Sequence, residues 1–212
     1  MPNESFYKKG VNIVVVGVGG QGLITFGEVL GKACVRKGLN IRIAETHGMS
    51  QRGGAVEVFI KIGEKALAPL ISPGYADFVV AIELIESLRG VRYLRRCGWL
   101  ILSDVWIPPP TVRNVPRPRE IIDDLSKLPI NIIQVEAEEI ARELKDFRVI
   151  NMAMLGGLIA LIEYIVPLDV VEEVVELRLG NTNREALRLG YKITKEKITS
   201  TNYIKPASCS EG

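Results

Sequence analysis

The stretch Asn12-Ile13-Val14-Val15-Val16-Gly17-Val18-Gly19-Gly20-Gln21-Gly22 decides how the rest of the chain is read. Asn12–Val16 is an apolar run of strand length that ends on a glycine cluster, where Gly17, Gly19 and Gly22 have the GxGxxG spacing. Such a turn needs glycine because the backbone adopts unusual angles, approaches a phosphate closely and lets the next helix pack tightly on the strand. The N–H groups at the start of that helix then meet a negative charge. A helical pattern follows to about Lys37, Gly38 stops it, and Asn40–Glu45 reads as a second strand. Strand, glycine turn, helix and strand make a βαβ unit, which predicts a right-handed crossover and a parallel pair of strands.

Working outward, residues 46–54 (THGMSQRGG) form a polar loop, and Ala55–Ile62 alternates as a strand with Val56, Val58, Ile60 and Ile62 on one face. Asp77–Ile82 reads as a buried strand, a helix is expected to about Arg96, and Trp99–Ser103 is another strand. Trp106–Arg119 holds five prolines and three arginines and reads as an extended connection. Ile130–Val135 is a strand and Ala137–Lys145 a helix; from Asn151 to about Lys197 the chain is helical, with breaks at Pro167 and Gly180-Asn181. The expected architecture is α/β: three layers around a mostly parallel sheet with a Rossmann-like glycine turn and a C-terminal helical extension. Residues 11–197 make one domain in this reading, between a flexible leader (1–10) and a flexible tail (198–212). The apolar helix near Leu155–Ile165, with Leu158 inside it, is the candidate subunit contact.

Of the 212 residues, 47% are hydrophobic and 25% charged, with a net charge of +2, the balance of an ordinary soluble domain. No dense Lys/Arg stripe exists, which argues against nucleic acid as a partner. The most apolar stretch, Val149–Leu168, contains Asn151, Gly156, Gly157, Glu163 and Pro167 and makes a poor membrane span. The N-terminal residues have no apolar signal segment. Cysteines at 34, 97 and 209 are odd in number and widely spaced, so a disulfide scaffold is not expected and a reducing cytoplasm is the natural compartment. The three cysteines cannot build a four-cysteine iron–sulfur site, and a single histidine does not make a His-based zinc site.

The glycine turn admits several functions. Glu45, at the end of the second strand, stands where a ribose-binding acid of an NAD-dependent dehydrogenase is expected. A non-enzymatic nucleotide-binding or regulatory module is a further reading, and so is a turn used only for packing. His47 suits either a proton carrier or a structural hydrogen-bonding residue, and Ser50 and Gln51 suit turn positions as well as ligand contacts. Cys34 reads as core. Arg113, Arg117 and Arg119 suit either partner docking or solvated loop charge.

Two motifs taken together narrow this. GVGGQG at 17–22, followed by His47-Gly48-Met49-Ser50-Gln51-Arg52-Gly53-Gly54, resembles the gamma-type domain of the pyruvate and 2-oxoacid:ferredoxin oxidoreductases, and HGMSQRGG resembles their indolepyruvate branch. Asn151-Met152-Ala153-Met154-Leu155-Gly156 is similar to the family's Asn-to-Leu-Gly helix start, and Asn183 with Ala186 and Gly190 to its closing helix. The resemblance covers about residues 11–191. It implies a heteromeric cytoplasmic enzyme that oxidatively decarboxylates an aryl 2-oxoacid on thiamine diphosphate with magnesium, passes electrons through iron–sulfur clusters to ferredoxin and delivers the acyl group to coenzyme A. By the same resemblance those cofactors lie on a large partner subunit, no metal belongs to this chain, and the chain alone is catalytically silent. Gly17, Gly19, Gly20, Gln21 and Gly22 are then expected to line a phosphate of coenzyme A or the active-site wall. His47, Ser50, Gln51, Arg52 and Gly53 are the facing loop, with Arg52 as the charged partner.

Overall fold

The central sheet has six strands in the order β2-β3-β1-β4-β5-β6. They are β1 (Val11–Val18), β2 (Ile41–His47), β3 (Ala55–Ile62), β4 (Ala76–Ala81), β5 (Leu94–Ser103) and β6 (Asn131–Val135). Among the described residues seven α-helices accompany them: α1 (Leu23–Arg36), α2 (Leu84–Gly90), α3 (Pro118–Ser126), α4 (Ala137–Glu143), α5 (Ile150–Ile162), α6 (Leu168–Leu179) and α7 (Asn181–Thr199). The structure is a computed structural model that describes residues 10–47, 53–64, 66, 68–109, 112, 114–206 and 209.

β1 is buried on both faces, and its alternate residues feed two cores. Ile13 and Val15 join the core beneath α1 and α4–α7, while Val14 and Val16 join the core beneath α2 and α3. β1, β4, β5 and β6 pair in parallel. The expected parallel couple of β1 and β2 does not form. β3 lies between them, antiparallel to both, with Val18 opposite Ala55 and His47 opposite Val56. Only seven residues separate β2 from β3 in the sequence, too few for a crossover to a parallel strand, so β3 runs back against β2. Its apolar run, Val58, Phe59 and Ile60 all buried, suits an interior strand.

Other boundaries also shift. The helix after β4 stops at Gly90 rather than about Arg96, and a 3-10 turn, Val91–Tyr93, leads into β5. A Cβ at Gly90 would lie 2.8 Å from Val16, so this helix end is pressed onto the sheet. Within the proline-rich stretch α3 begins at Pro118, with Arg117 N–H donating to the Glu120 carboxylate at 2.8 Å; proline at the first helical position gives up an N–H that is unpaired there anyway.

The three C-terminal helices follow the breaks at Pro167 and Gly180. α5 is apolar all round and buried within this chain: Leu158 has no exposed surface. The expected subunit contact on this helix is therefore corrected; α7 and its neighbours already cover it. The chain beyond α7 also returns to the sheet, where Ile204 forms an antiparallel bridge with Ile132. Cys97 and Cys209 are joined by a disulfide across 112 positions, against the expectation from spacing, because only the topology brings the start of β5 beside the C-terminal segment. Cys34 is buried, as expected, and burial pushes its thiol up to about 12.

Candidate functional site

The chain leaves β1 toward the α1 side of the sheet and leaves β4 toward the α2 side. A crevice opens at the carboxyl ends of two parallel strands whose connections diverge in this way. A cleft of about 830 Å³ occupies this place, lined by Gly20, Gln21, Gly22, Thr25, Trp106 and Asn151, among others.

The glycine turn is held by its own backbone and by one side chain. Gln21 N–H donates to Val18 O at 3.1 Å, and the Gln21 side-chain oxygen folds back to accept from Val18 N–H at 2.7 Å. A Cβ on Gly17 would lie 2.7 Å from that oxygen, so this arrangement requires glycine at 17. Gly20 and Gly22 have φ of +102° and +76°, a region that favours glycine. Among the described residues, none beyond Gly20 and its chain neighbours comes within 4 Å of where a Gly20 Cβ would be. α1 begins at Leu23 with no side-chain cap and no acidic residue in its first turn, which leaves its positive end free for an anion.

From the C-terminal third, Asn151 Nδ2 donates to Gly22 O at 3.0 Å. Asn151 is 5% exposed, and its Oδ1 has no hydrogen-bond partner among the described residues. The far wall carries Arg148, Arg178 and Asn183. Arg148 forms a two-pronged pair with Asp146 at 2.9 Å, and Arg178 pairs with Glu28 at 2.9 Å. The third side is Val105-Trp106-Ile107. Fully buried Glu83 fixes it by accepting from Ile107 N–H and, across its other oxygen, from Glu86 N–H, each at 2.9 Å. Burial raises the Glu83 carboxyl above the usual range, against the opposing pull of those N–H donors. Uncapped helix start, open glycine and two guanidinium groups together suit a ligand that carries phosphate.

The two sequence motifs converge on one point. Gly19 N–H donates to Gly54 O at 2.9 Å, tying the glycine turn to the end of the Arg-Gly-Gly loop. Gly53, with φ +72°, belongs to that loop end. Ser50, Gln51 and Arg52 lie outside the described residues. His47 ends β2, separated from β1 by β3, so the register does not set it beside Gly17. The same register moves Glu45 to β2, roughly 10 Å from β1 across β3, whereas a ribose-binding acid belongs on the strand adjacent to the glycine turn. Reading the sequence for a site missed Thr25, Trp106, Arg148 and Arg178. Asn151 and Asn183 carried a signal as polar residues at the starts of helices, one of them strongly apolar. Among the described residues no group of His, Cys, Asp and Glu could hold a metal ion, and no helix is long and apolar enough to cross a membrane.

Comparison with known proteins places this geometry. The family model described as pyruvate ferredoxin/flavodoxin oxidoreductase matches residues 12–193. The chain is 39% identical to an indolepyruvate oxidoreductase subunit IorB of Archaeoglobus fulgidus, over 85% of this chain and 94% of that one. To the subunit of the same name from Thermococcus kodakarensis it is 30% identical, over 90% and 98%. Among solved structures, the pyruvate oxidoreductase subunit PORC of Thermotoga maritima superposes with a TM-score of 0.65 at 26% identity, covering 86% of this chain and 96% of that chain. A 2-oxoglutarate:ferredoxin oxidoreductase of Magnetococcus marinus shares the fold at a TM-score of 0.63 and 20% identity, and this chain covers 31% of that longer one and 91% of itself.

Proposed function

Since the chain belongs to the pyruvate ferredoxin/flavodoxin oxidoreductase family, we propose that it is the small, cluster-free beta subunit of a coenzyme A-dependent indolepyruvate (aryl 2-oxoacid):ferredoxin oxidoreductase. The likeness to two indolepyruvate oxidoreductase subunits, which runs through nearly the whole chain, carries this reading. The hydrogen bond from Gly19 to Gly54 supports it from within the molecule, since it joins the two motifs that mark the resemblance. In this reading a large partner subunit holds thiamine diphosphate, magnesium and the iron–sulfur clusters, and the complex hands electrons to ferredoxin in the cytoplasm. Thiamine diphosphate supplies the decarboxylation chemistry on that partner. This chain binds and orients.

Coenzyme A suits the cleft by its chemistry. Its phosphates match the α1 start and the guanidinium groups of Arg148 and Arg178, and the open space at Gly20 lets a ligand approach the backbone. Gly20, Gln21 and Gly22 line the cleft; this reading adds Gly17 and Gly19 to the same wall and assigns ligand contact to His47, Ser50, Gln51, Arg52 and Gly53. Co-production with the large subunit tests the assignment. Indolepyruvate-dependent ferredoxin reduction is expected to require both chains and coenzyme A, with neither chain active alone. A large subunit that turns over equally well without this chain would sink it. Within an active complex, Arg52→Ala is expected to raise the concentration of coenzyme A needed for half-maximal rate about tenfold, the size of one lost charge-assisted contact; an unchanged requirement removes Arg52 from this role.

A further inference from the structure

The described residues beyond α7 do not line the cleft and lie at the opposite end of the sheet, beside the starts of β5 and β6. Ile204 and Ile132 exchange two backbone hydrogen bonds, each 2.9 Å. The Tyr203 ring lies against Trp99 with centroids 4.9 Å apart, and Lys197 Nζ donates to Gln134 O at 2.8 Å. β6 is a sheet edge carrying Ile132, Ile133 and Val135, and an uncovered apolar edge is a template for pairing with another chain. The segment covers that edge with one bridge and one ring contact, a modest set for holding a strap. The covalent bond from Cys209 to Cys97 adds what they lack, with Cα atoms 5.5 Å apart as such a bond needs.

Cys97 is built into the sheet independently of its partner. Its φ is +59°, where glycine is favoured and a side chain is uncommon. Its N–H donates to Pro129 O at 2.8 Å, and its carbonyl accepts from Asn131 Nδ2 at 2.9 Å. The backbone at Cys97 is therefore held by hydrogen bonds in which the sulfur takes no part. Both Cys97 and Cys209 are half-buried, within reach of a small thiolate, while Cys34 is fully enclosed.

We propose that Cys97 and Cys209 are a reversible thiol–disulfide exchange site, taking a low-molecular-weight dithiol or disulfide as its reaction partner, that latches the C-terminal segment over the β6 edge. A thiolate of the dithiol attacks one sulfur, the Cys97–Cys209 bond breaks, and a mixed disulfide forms. The second thiolate of the dithiol then displaces the remaining cysteine. Two electrons and two protons have passed to the protein, which holds two thiols, and the dithiol has become a disulfide; a small disulfide reverses every step.

The full-length chain, equilibrated over a series of reduced-to-oxidised dithiothreitol ratios, quenched, unfolded and alkylated, reports the state of its cysteines by intact mass. One alkylated cysteine is expected at the oxidising end and three at the reducing end, with full return. Hydrogen exchange on the two end states is expected to show the Ile204 and Ile132 amides exchanging at least tenfold faster when reduced. Cys209→Ser, which alters only the strap, should exchange fast in both states, and Cys34→Ser should behave as the parent. Three alkylated cysteines at every ratio, or equal protection of both amides in the two states, would overturn the proposal. Cys97→Ser repeats the loss of the bond from the sheet side, and slow exchange at Ile204 in that variant would also overturn it.

Discussion

Gly22 and Asn151, 129 positions apart, act as one unit at the mouth of the cleft. A Cβ at Gly22 would stand 2.3 Å from Asn151 Nδ2, and φ at Gly22 is +76°. Gly22→Ala is therefore expected to cost about 2–4 kcal/mol, part from a left-handed backbone and part from the clash. Asn151→Ala alone loses the hydrogen bond to Gly22 O, but in the Gly22→Ala background it also relieves the clash and leaves only the backbone strain, so the double variant should be more stable than the sum of the single effects predicts. Urea midpoints for the four proteins give the coupling, and strict additivity would show that the clash contributes nothing. Glu83 makes a second prediction at this scale. Its proton is held more tightly in the folded than in the unfolded chain because burial disfavours the charge. Folding thus binds a proton, and stability falls as pH rises from the ordinary glutamate range to the raised folded value, then levels off. Glu86 and Asp104, also raised chiefly by burial, add slopes of the same sign. Glu83→Gln is expected to be less stable near neutrality, since an amide cannot accept both N–H bonds, yet to show a shallower decline with pH in urea midpoints. An unaltered slope would mean that Glu83 does not bind the extra proton.

Among the elements, the closest contact is between α5 and α7. A Cβ at Gly156 would fall 2.0 Å from Leu187 O, and one at Gly190 2.0 Å from Ala153 O, so these two backbones touch because glycine lets them. Gly190→Ala must push α7 away from α5 and is expected to destabilise by about 3 kcal/mol in guanidinium unfolding; a loss below about 0.5 kcal/mol would mean that the helices adjust freely. The polar variant Leu158→Asp, attractive while α5 reads as a subunit contact, places a charge in this chain's own core and reports folding rather than assembly. Helices and strands with a clear period were legible: β3 keeps both expected ends, and α6 and α7 begin where Pro167 and Gly180 interrupt the pattern. Extent was harder to read. Residues 84–96 look helical by composition, but the α-helix stops at Gly90, which lies close against Val16 of a strand more than seventy positions earlier. In the site, the glycine turn was visible because its chemistry lies in consecutive residues. Arg148, Arg178 and Trp106 were not, since their membership depends on where separate elements end.

At the scale of the molecule, strand order and cross-linking are properties of topology, which residue periods do not encode. β1 and β2 read as a parallel pair until β3, the next strand, folds back between them. The same reasoning explains the cysteines: Cys97 and Cys209 look unrelated until the sheet order places the start of β5 next to β6 and α7 delivers the chain to that edge. The bond closes a loop that contains most of β5, with β6 and α3–α7, while β1–β4, α1 and α2 lie outside it. In the chain-entropy account, a cross-link spanning 112 positions restricts the unfolded chain by about 4–5 kcal/mol, and measured values commonly fall below that. Cys209→Ser is therefore expected to be about 2–4 kcal/mol less stable than the parent in guanidinium unfolding without reductant. In excess dithiothreitol the difference should vanish, because the parent then unfolds with the same unrestricted chain. Equal midpoints without reductant would show that the bond holds only the segment and leaves the domain's stability unchanged. A difference that persists in dithiothreitol would instead trace the loss to packing of the Cys209 side chain.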